Sequence, residues 1–258
     1  MKISDVIEEA KGQKSFFFSK SIDCKPGQFI MVWLPGVDEK PMAVSYWNEN
    51  EFAFTSQAIG RFTSSIGSLK KGDKLGIRGP YGNSFSIKKN ACVVGGGVGM
   101  ASVSTLIDRL NKPLIVNGAK SKERLIYLKR YKGKEMIITT DDGSFGRKGY
   151  TTQVLDEALT QNKKINIVYT CGPEIMMKKV FEICNTHEVE CEASIERYMA
   201  CGFGVCGKCM IDDKIVCVDG PIFNSNQLSK LAEFGNFARL KSGKKAALSQ
   251  YGFIQRRG

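Results

Sequence analysis

Hydrophobic and polar positions follow two rhythms along this chain. From Met1 to about Lys88, short apolar or alternating runs (FFFSK, QFIMVWLP, PMAVSYW, EFAFTSQ, KLGIRG) are separated by Gly, Pro and Asn, a texture of antiparallel strands joined by turns. It predicts a small β barrel or sandwich. From Asn90, apolar strands alternate with amphipathic stretches: ACVVGGG, a helix from about Met100 to Leu110, LIVNGA, MIITTDD, a helix through VLDEAL, INIVYTCG and a helix through EIMMKKVFEIC. Strand–helix alternation predicts a parallel sheet covered on both faces. From about Glu190 to Phe223 the chain is rich in Gly and Cys and too poor in large apolar residues to bury a core, so it needs a metal to hold its shape. Beyond Asn224, QLSKLAEFGNF has the spacing of one amphipathic helix, and LKSGKKAALSQYGFIQRRG reads as an extended arm. The expected fold class is a β barrel plus α/β, with units at 1–88, 89–189 and 190–225 and a basic tail at 226–258.

Composition narrows the function. With 258 residues, 42% hydrophobic and 25% charged, the chain is long enough for more than one domain with a buried core. No apolar run reaches the roughly 18 residues of a membrane helix. The opening MKISDVIEEAKGQKSFFF is too charged for a secretory signal, so a cytoplasmic protein with no membrane partner is expected. The net charge of +12 suits anionic nucleotides or an acidic protein surface as well as nucleic acid. The basic residues are spread along the chain, with mild clusters at Lys70-Lys71, Lys129 to Lys134 and Arg239 to Arg257, and no helix-turn-helix or RNP-like pattern accompanies them. No nucleic-acid partner is expected.

Nine cysteines in a cytoplasmic setting point away from a disulfide framework. Cys24, Cys92, Cys171, Cys184 and Cys191 are scattered singly and read as small buried hydrophobes. The other four form Cys201-x4-Cys206-x2-Cys209-x7-Cys217, the plant-type [2Fe-2S] spacing. Gly202, Gly204 and Gly207 would let the backbone wrap closely and point N–H groups at sulfur. MIDDKIVC reads as a hairpin turning at Asp212-Asp213 and returning Cys217 to the cluster. The competing zinc ribbon would carry two C-x2-C pairs, and only one is present.

Gly95-Gly96-Gly97-Val98-Gly99 follows a strand and opens a helix, the placement that offers N–H groups to phosphates. Met100 stands where the dinucleotide fingerprint has its third small residue, and the next strand ends Asn117-Gly118-Ala119-Lys120 without an acid. Two more loops, around Asp141 and at Cys171-Gly172-Pro173, follow apolar strands and are expected on the same side of the sheet. Gly60-Arg61-Phe62-Thr63-Ser64 and Gly79-Pro80-Tyr81-Gly82 read as further Gly-rich turns. His187, the single histidine, is expected at a helix end facing solvent.

The order barrel, nucleotide domain, four-cysteine loop resembles the ferredoxin reductase superfamily, and most closely the electron-transfer subunits of class 1B dihydroorotate dehydrogenase. The resemblance spans nearly the whole chain. It is carried by Pro26 to Phe29, Lys40 to Ser45, Gly60 to Thr63, Gly79 to Gly82, the Gly95 to Gly99 loop, Cys171-Gly172-Pro173, the four cysteines and Asp219 to Phe223. It implies FAD between an FAD-binding barrel and an NAD-binding domain, with a [2Fe-2S] cluster and NAD as exchangeable co-substrate. Implied cofactor contacts are Lys40, Pro41, Met42, Ala43, Ser45, Thr55, Ser56, Gln57, Gly60, Phe62, Thr63, Gly79 and Tyr81, with Gly95, Gly96, Gly97, Gly99, Asp141, Cys171, Gly172 and Pro173 on the nucleotide side. The cluster ligands are Cys201, Cys206, Cys209 and Cys217. Lys40-Pro41-Met42-Ala43 departs from the family's Arg-Pro-x-Ser: Lys40 supplies charge without a bidentate fork, and Ser45 stands in for the hydroxyl.

The resemblance further implies an FMN-containing catalytic partner in a heterotetramer. Dihydroorotate would be oxidised there and electrons passed through [2Fe-2S] and FAD to NAD+, in pyrimidine biosynthesis. No catalytic base for the pyrimidine is expected on this chain. Similar in all three regions are the flavin subunits of sulfhydrogenases and of ferredoxin:NADP oxidoreductases. Lys120, Lys122 and Arg124 would suit a 2′-phosphate, or form a solvated loop, the reading that goes with NAD. A zinc-stabilised, non-catalytic binding module is the reading from another class.

Overall fold

The computed structural model describes residues 1–249. Its first sheet is built from β1 (Asp5–Ala10), β2 (Gln13–Phe18), β3 (Phe29–Leu34), β4 (Asp38–Trp47) and β5 (Phe52–Gln57), then, after helix α1 (Arg61–Gly67), β6 (Gly76–Tyr81). The strands run in the order β1-β2-β5-β4-β3-β6, all antiparallel. The segment before β1 closes the structure toward β6: Ile3 donates its N–H to Asp73 and Leu75 donates to Met1, at 2.8 and 2.9 Å. Inside, Phe16 faces Phe54 and Phe18 faces Phe52 across β2 and β5, with ring centroids 5.2 and 5.1 Å apart. Such cross-strand aromatic pairs fix register as well as adding buried area. The charged strand β1 was not legible as a strand, and its acidic residues suit an edge that must not recruit another chain.

One expectation is corrected in this region. Gly60 to Ser64 is the start of α1 rather than a turn: the Thr63 hydroxyl accepts the Gly60 N–H at 3.0 Å, and Phe62 and Ile66 bury one face in the barrel core.

The second sheet comprises β7 (Ala91–Gly96), β8 (Leu114–Ala119), β9 (Met136–Thr140), β10 (Arg147–Lys148), β11 (Ile167–Cys171) and β12 (Glu190–Ser194), with helices α2 (Met100–Ile107), α3 (Thr151–Gln161) and α4 (Glu174–Thr186) between them. These six strands are parallel, in the order β10-β9-β8-β7-β11-β12. Alternate residues serve two cores: Cys92, Val94 and Val168 pack under α3 and α4, whereas Val93, Ile115 and Ile167 pack under α2.

The cysteine segment joins this sheet at both ends. Glu190–Ser194, read from sequence as opening the cluster unit, is a strand of the nucleotide sheet. After hairpin strands β13 (Met210–Ile211) and β14 (Lys214–Ile215) and the short helix α5 (Val216–Asp219), β15 (Ile222–Asn224) returns antiparallel to β12.

The tail is not one amphipathic helix. Helix α6 (Ser225–Leu228) stops after one turn, Gly235 adopts φ +80°, and β16 (Phe237–Arg239) pairs with β17 (Lys245–Ala247) where an extended arm is expected. Leu228, Leu231 and Phe234 instead dock on α4, with Phe234 6.3 Å from Phe181. The end of the expected arm, 250–258, lies outside the described residues. Among the described residues, no helix is long and apolar enough to cross a membrane.

Candidate functional site

The cysteines meet in pairs. The Gly204 N–H reaches the Cys217 sulfur at 3.2 Å, and the Cys217 N–H reaches the Cys209 sulfur at 3.5 Å. Cys201 and Cys206 form the other pair. Burial pushes the Cys201 thiol up, but hydrogen bonds from the Cys206 and Phe203 backbone and the Cys206 side chain outweigh it and bring it down to about 6. Burial and the neighbouring Cys209 raise Cys217 to about 12. Gly202, Gly204 and Gly207 all have positive φ, as the wrapping requires. A Cβ on Gly202 would stand 2.7 Å from Met31 of β3, so the loop lies directly on the barrel.

Arg78 on β6 ties down the same loop. Its Nη2 donates to the Cys201 carbonyl at 2.9 Å, while Nε and Nη2 form a fork on Glu39 at 2.9 and 2.7 Å. The guanidinium also lies 5.5 Å from the Phe203 ring. On the other side, Arg197 is 5% exposed and donates through Nη2 to Glu174 Oε1 at 2.9 Å, and Glu174 also accepts the Gly235 N–H. One buried ion pair thus joins the cysteine segment, the start of α4 and the tail.

Strand β4 spans the space between this loop and the nucleotide domain. The Lys40 ammonium bonds Asp38 at 2.6 Å and sits 5.1 Å over the Tyr198 ring. At the far end of the strand, helix α2 packs on β4, and the turn Gly97–Gly99 touches β5. Lys40, Pro41, Met42 and Ala43 are half-buried along this span. Ser56, at the end of β5, has a buried hydroxyl with no partner.

Several expected contacts are engaged elsewhere. Ser45 does not offer its hydroxyl toward Ala43; it is 1% exposed and bonds Thr55 at 3.0 Å and the Ala53 carbonyl at 3.3 Å. The cause is a bulge: Val44 faces Phe54 and Tyr46 faces Ala53, leaving Ser45 as an extra residue. Thr55 is closed into the same network. Phe62 points into the barrel core and the Thr63 hydroxyl caps its own helix, so what these two residues can offer outward at the start of α1 is their backbone N–H groups, beside the exposed Arg61 and Ser64 side chains. Tyr81 packs between Phe29 and Phe203, and Gly79 is held at φ +115° beside it.

The glycine loops come together at the carboxyl ends of adjacent strands, since Gly95 faces Cys171 across β7 and β11. A Cβ on Gly99 would stand 2.5 Å from the Cys171 carbonyl oxygen, whereas the Gly97 position, at φ +56°, meets nothing within 4 Å. Gly96 faces Pro173 and Gly172. Below them, the Thr170 hydroxyl is buried without a partner. Burial raises the Cys171 thiol to about 12, so it is inert. Asp141 is exposed two strands away, after β9, and Lys120, Lys122 and Arg124 are exposed near it. His187 is not freely solvated: its Nε2 lies 2.7 Å from Asp156. The five scattered cysteines are all buried. Sequence reading missed Arg78, Glu39, Arg197 and Glu174, whose pairing is long-range and leaves no local signal.

Comparison with known proteins agrees with this architecture. Residues 196–229 match the family model for the iron-sulfur cluster binding domain of dihydroorotate dehydrogenase B. A Methanocaldococcus jannaschii protein named "Probable dihydroorotate dehydrogenase B (NAD(+)), electron transfer subunit" is 45% identical over 95% of this chain and 96% of its own. A Pyrococcus horikoshii protein of the same name is 42% identical over 94% and 96%. Among solved structures, an NADH-dependent reduced ferredoxin-NADP oxidoreductase superposes with a TM-score of 0.79 at 28% identity, covering 91% of this chain and 92% of that one. Phthalate dioxygenase reductase shares the fold at 18% identity with a TM-score of 0.60, over 71% of this chain and 63% of its own. With more than 40% identity to these relatives over nearly its whole length and a cysteine segment that matches their cluster-binding model, the chain belongs to the family of dihydroorotate dehydrogenase B electron transfer subunits.

Proposed function

We propose that this chain carries electrons from dihydroorotate, oxidised on an FMN-bearing partner subunit, to NAD+, in pyrimidine biosynthesis in the cytoplasm. The observation that carries this reading is strand β4, which runs from the cysteine loop at Lys40 to the nucleotide helix at Ser45. Five residues of strand cover about 17 Å, so one element links the two redox regions. FAD, when bound there, exchanges two electrons with a nicotinamide and single electrons with a cluster, which joins the two chemistries.

The chain's own groups fit that cofactor. The unpartnered Ser56 hydroxyl, with Gln57, would meet polar atoms of FAD, the outward N–H groups of Arg61, Phe62 and Thr63 its pyrophosphate, and Lys40 its charge. On the nucleotide side, Gly97 leaves open space, and the Thr170 hydroxyl needs a partner. The cysteines would hold a two-iron cluster, Cys201 and Cys206 as one pair of ligands and Cys209 and Cys217 as the other. Pairwise sulfur contacts suit that division better than four donors around one zinc. Phe203, Val205 and Val218 are exposed around the loop and give the partner, in a heterotetramer, an apolar seat close to the cluster. On this reading residues 1–88 serve FAD, 89–189 NAD and 190–225 the cluster.

The test is anaerobic isolation of the native assembly followed by assay of dihydroorotate-dependent NAD+ reduction. An FMN-bearing partner with that activity is expected. A hydrogenase-like partner without it would discard the pathway and keep the redox chemistry.

A further inference from the structure

The bulge in β4 leaves the Ser45 carbonyl outside the strand ladder. A buried carbonyl needs partners, and two come from the nucleotide domain: Ser104 Oγ of α2 donates at 2.7 Å and Arg130 Nη1 at 2.9 Å. A third tie runs through side chains. The Tyr127 and Thr55 hydroxyls share a hydrogen bond of 2.5 Å, and Thr55 in turn meets Ser45 and Ser15, at 3.0 and 2.7 Å.

The groups behind these contacts are fixed in place. Tyr127 holds φ +63°, a left-handed conformation that a bulky residue adopts only where its surroundings demand it, and its ring packs edge-on to Tyr131 at 6.1 Å. Tyr131 donates to the Ser104 carbonyl at 3.0 Å. Arg130 lies between the rings of Tyr46, Tyr127 and Tyr131, 5.0 to 5.4 Å from each, and is paired with Asp108. These contacts join two regions far apart in sequence at a point two residues along β4 from Ala43.

We infer that Ser104, Tyr127 and Arg130 are positioning residues, which clamp the bulged Ser45 and so fix the flavin-facing stretch Lys40–Ala43 relative to the glycine loops that receive the nicotinamide. This deepens, and rests on, the reading of the groove as an FAD and NAD site. The reaction it would tune is hydride transfer: two electrons and a proton leave NADH, NAD+ is released, and the flavin is reduced, or the reverse. Such a transfer depends steeply on the distance between donor and acceptor, and a misplacement of about 1 Å costs up to about a hundredfold in rate. None of the three side chains is among the proposed FAD or NAD contacts, so Ser104 and Arg130 act through β4, and Tyr127 through Thr55 of β5 and its bond to Ser45.

The test uses the full chain carrying FAD and cluster, mixed anaerobically and rapidly with NADH. Flavin reduction is followed over a range of NADH concentrations for wild type, Ser104→Ala, Arg130→Met and Tyr127→Phe. Tyr127→Phe keeps the packed ring and removes only the hydroxyl, so it stays informative where a larger change unfolds the chain. The expected result is a limiting reduction rate lowered about tenfold. FAD content and the NADH concentration at half-saturation should stay within twofold. Limiting rates within twofold of wild type, whatever happens to the melting temperature, would overturn the clamp. So would rates that fall only in proportion to lost FAD. A wild-type chain whose flavin NADH does not bleach would instead overturn the parent reading, and the inference with it.

Discussion

Gly95–Gly99 is anchored on β7, whose six residues are all buried, whereas between Ile195 and Cys209 there is neither helix nor strand. Both loops are rich in glycine, yet they are held by different forces. The nucleotide loop is an end product of hydrophobic burial: β7, β8 and β11 lie between helices on both faces, and the loop's shape follows from theirs. The cysteine loop has the Arg78 fork, the Arg197 ion pair and its own sulfur contacts. Met199, Cys209, Ile211, Val216 and Cys217 do reach the core under the nucleotide sheet, but between Cys201 and Lys208 only Gly202 is buried, so that stretch depends on a metal as Gly95–Gly99 does not.

The largest expected effect follows directly. Cys209→Ser should abolish the cluster's visible absorbance and remove amide protection across residues 201–208, while β7, β8 and β11 keep theirs. Hydrogen exchange with mass spectrometry reads both regions at once, and unchanged protection in the cysteine loop would refute its metal dependence. Next comes Gly99→Ala, whose Cβ would meet the Cys171 backbone. Overpacking of this kind costs about 1–3 kcal/mol. It should lower the melting temperature by several degrees and raise the half-saturating NADH concentration, with iron and flavin content unchanged. Gly97→Ala, which meets no atom and strains only its φ, should cost about 1–2 kcal/mol.

A smaller effect is expected from Arg78→Met, because the pair it breaks is partly exposed, with side chains 37% and 23% accessible. Its stability cost should stay near 1 kcal/mol. Protection should fall at Gly202–Gly204 alone, and Arg78→Lys should restore only part of it, since an ammonium lacks the fork.

The smallest effect is a pH dependence at the tail. Burial pushes Glu233 up, but Lys245, the Asp212 N–H and Arg239 outweigh it and hold the carboxyl below its ordinary value of 4.5. A depressed carboxylate stabilises the fold fully above the unfolded value, and that contribution is lost as pH falls through the lower native value. Acid titration followed by NMR should therefore show β16–β17 loosening as pH falls below the ordinary carboxyl value of 4.5, and Glu233→Gln should remove that step.

Much of the architecture was legible because it rests on local pattern. The strand texture before Lys88, the alternation after Asn90 and the cysteine spacing each survive in the fold. What was not legible depends on distant partners. Strand β1 is too charged to look like one, yet pairs with β2. Ser45 reads as a flavin hydroxyl until the bulge turns it inward, and one inserted residue leaves no mark in an alternation. QLSKLAEFGNF has helical spacing, but the contacts of Glu233 with Asp212 and the positive φ of Gly235, whose N–H bonds Glu174, take the chain elsewhere. The side chains of Phe62 and Thr63, expected to touch a cofactor, are engaged for a similar reason, Phe62 by the barrel core and Thr63 by the cap of its own helix.

The pairing of β12 with β15 puts Ser194 opposite Ile222, so the cysteine segment leaves and re-enters the sheet at neighbouring points. A hairpin-like clasp of this sort makes the electron-carrying part a topological appendix. Its two ends could be joined by a short turn without altering the order of any other strand, and a segment of different length or ligand set could be spliced there at little entropic cost. The chain's architecture therefore separates inheritance of the nicotinamide unit from inheritance of the cluster, and lets the wire be exchanged while the socket stays the same.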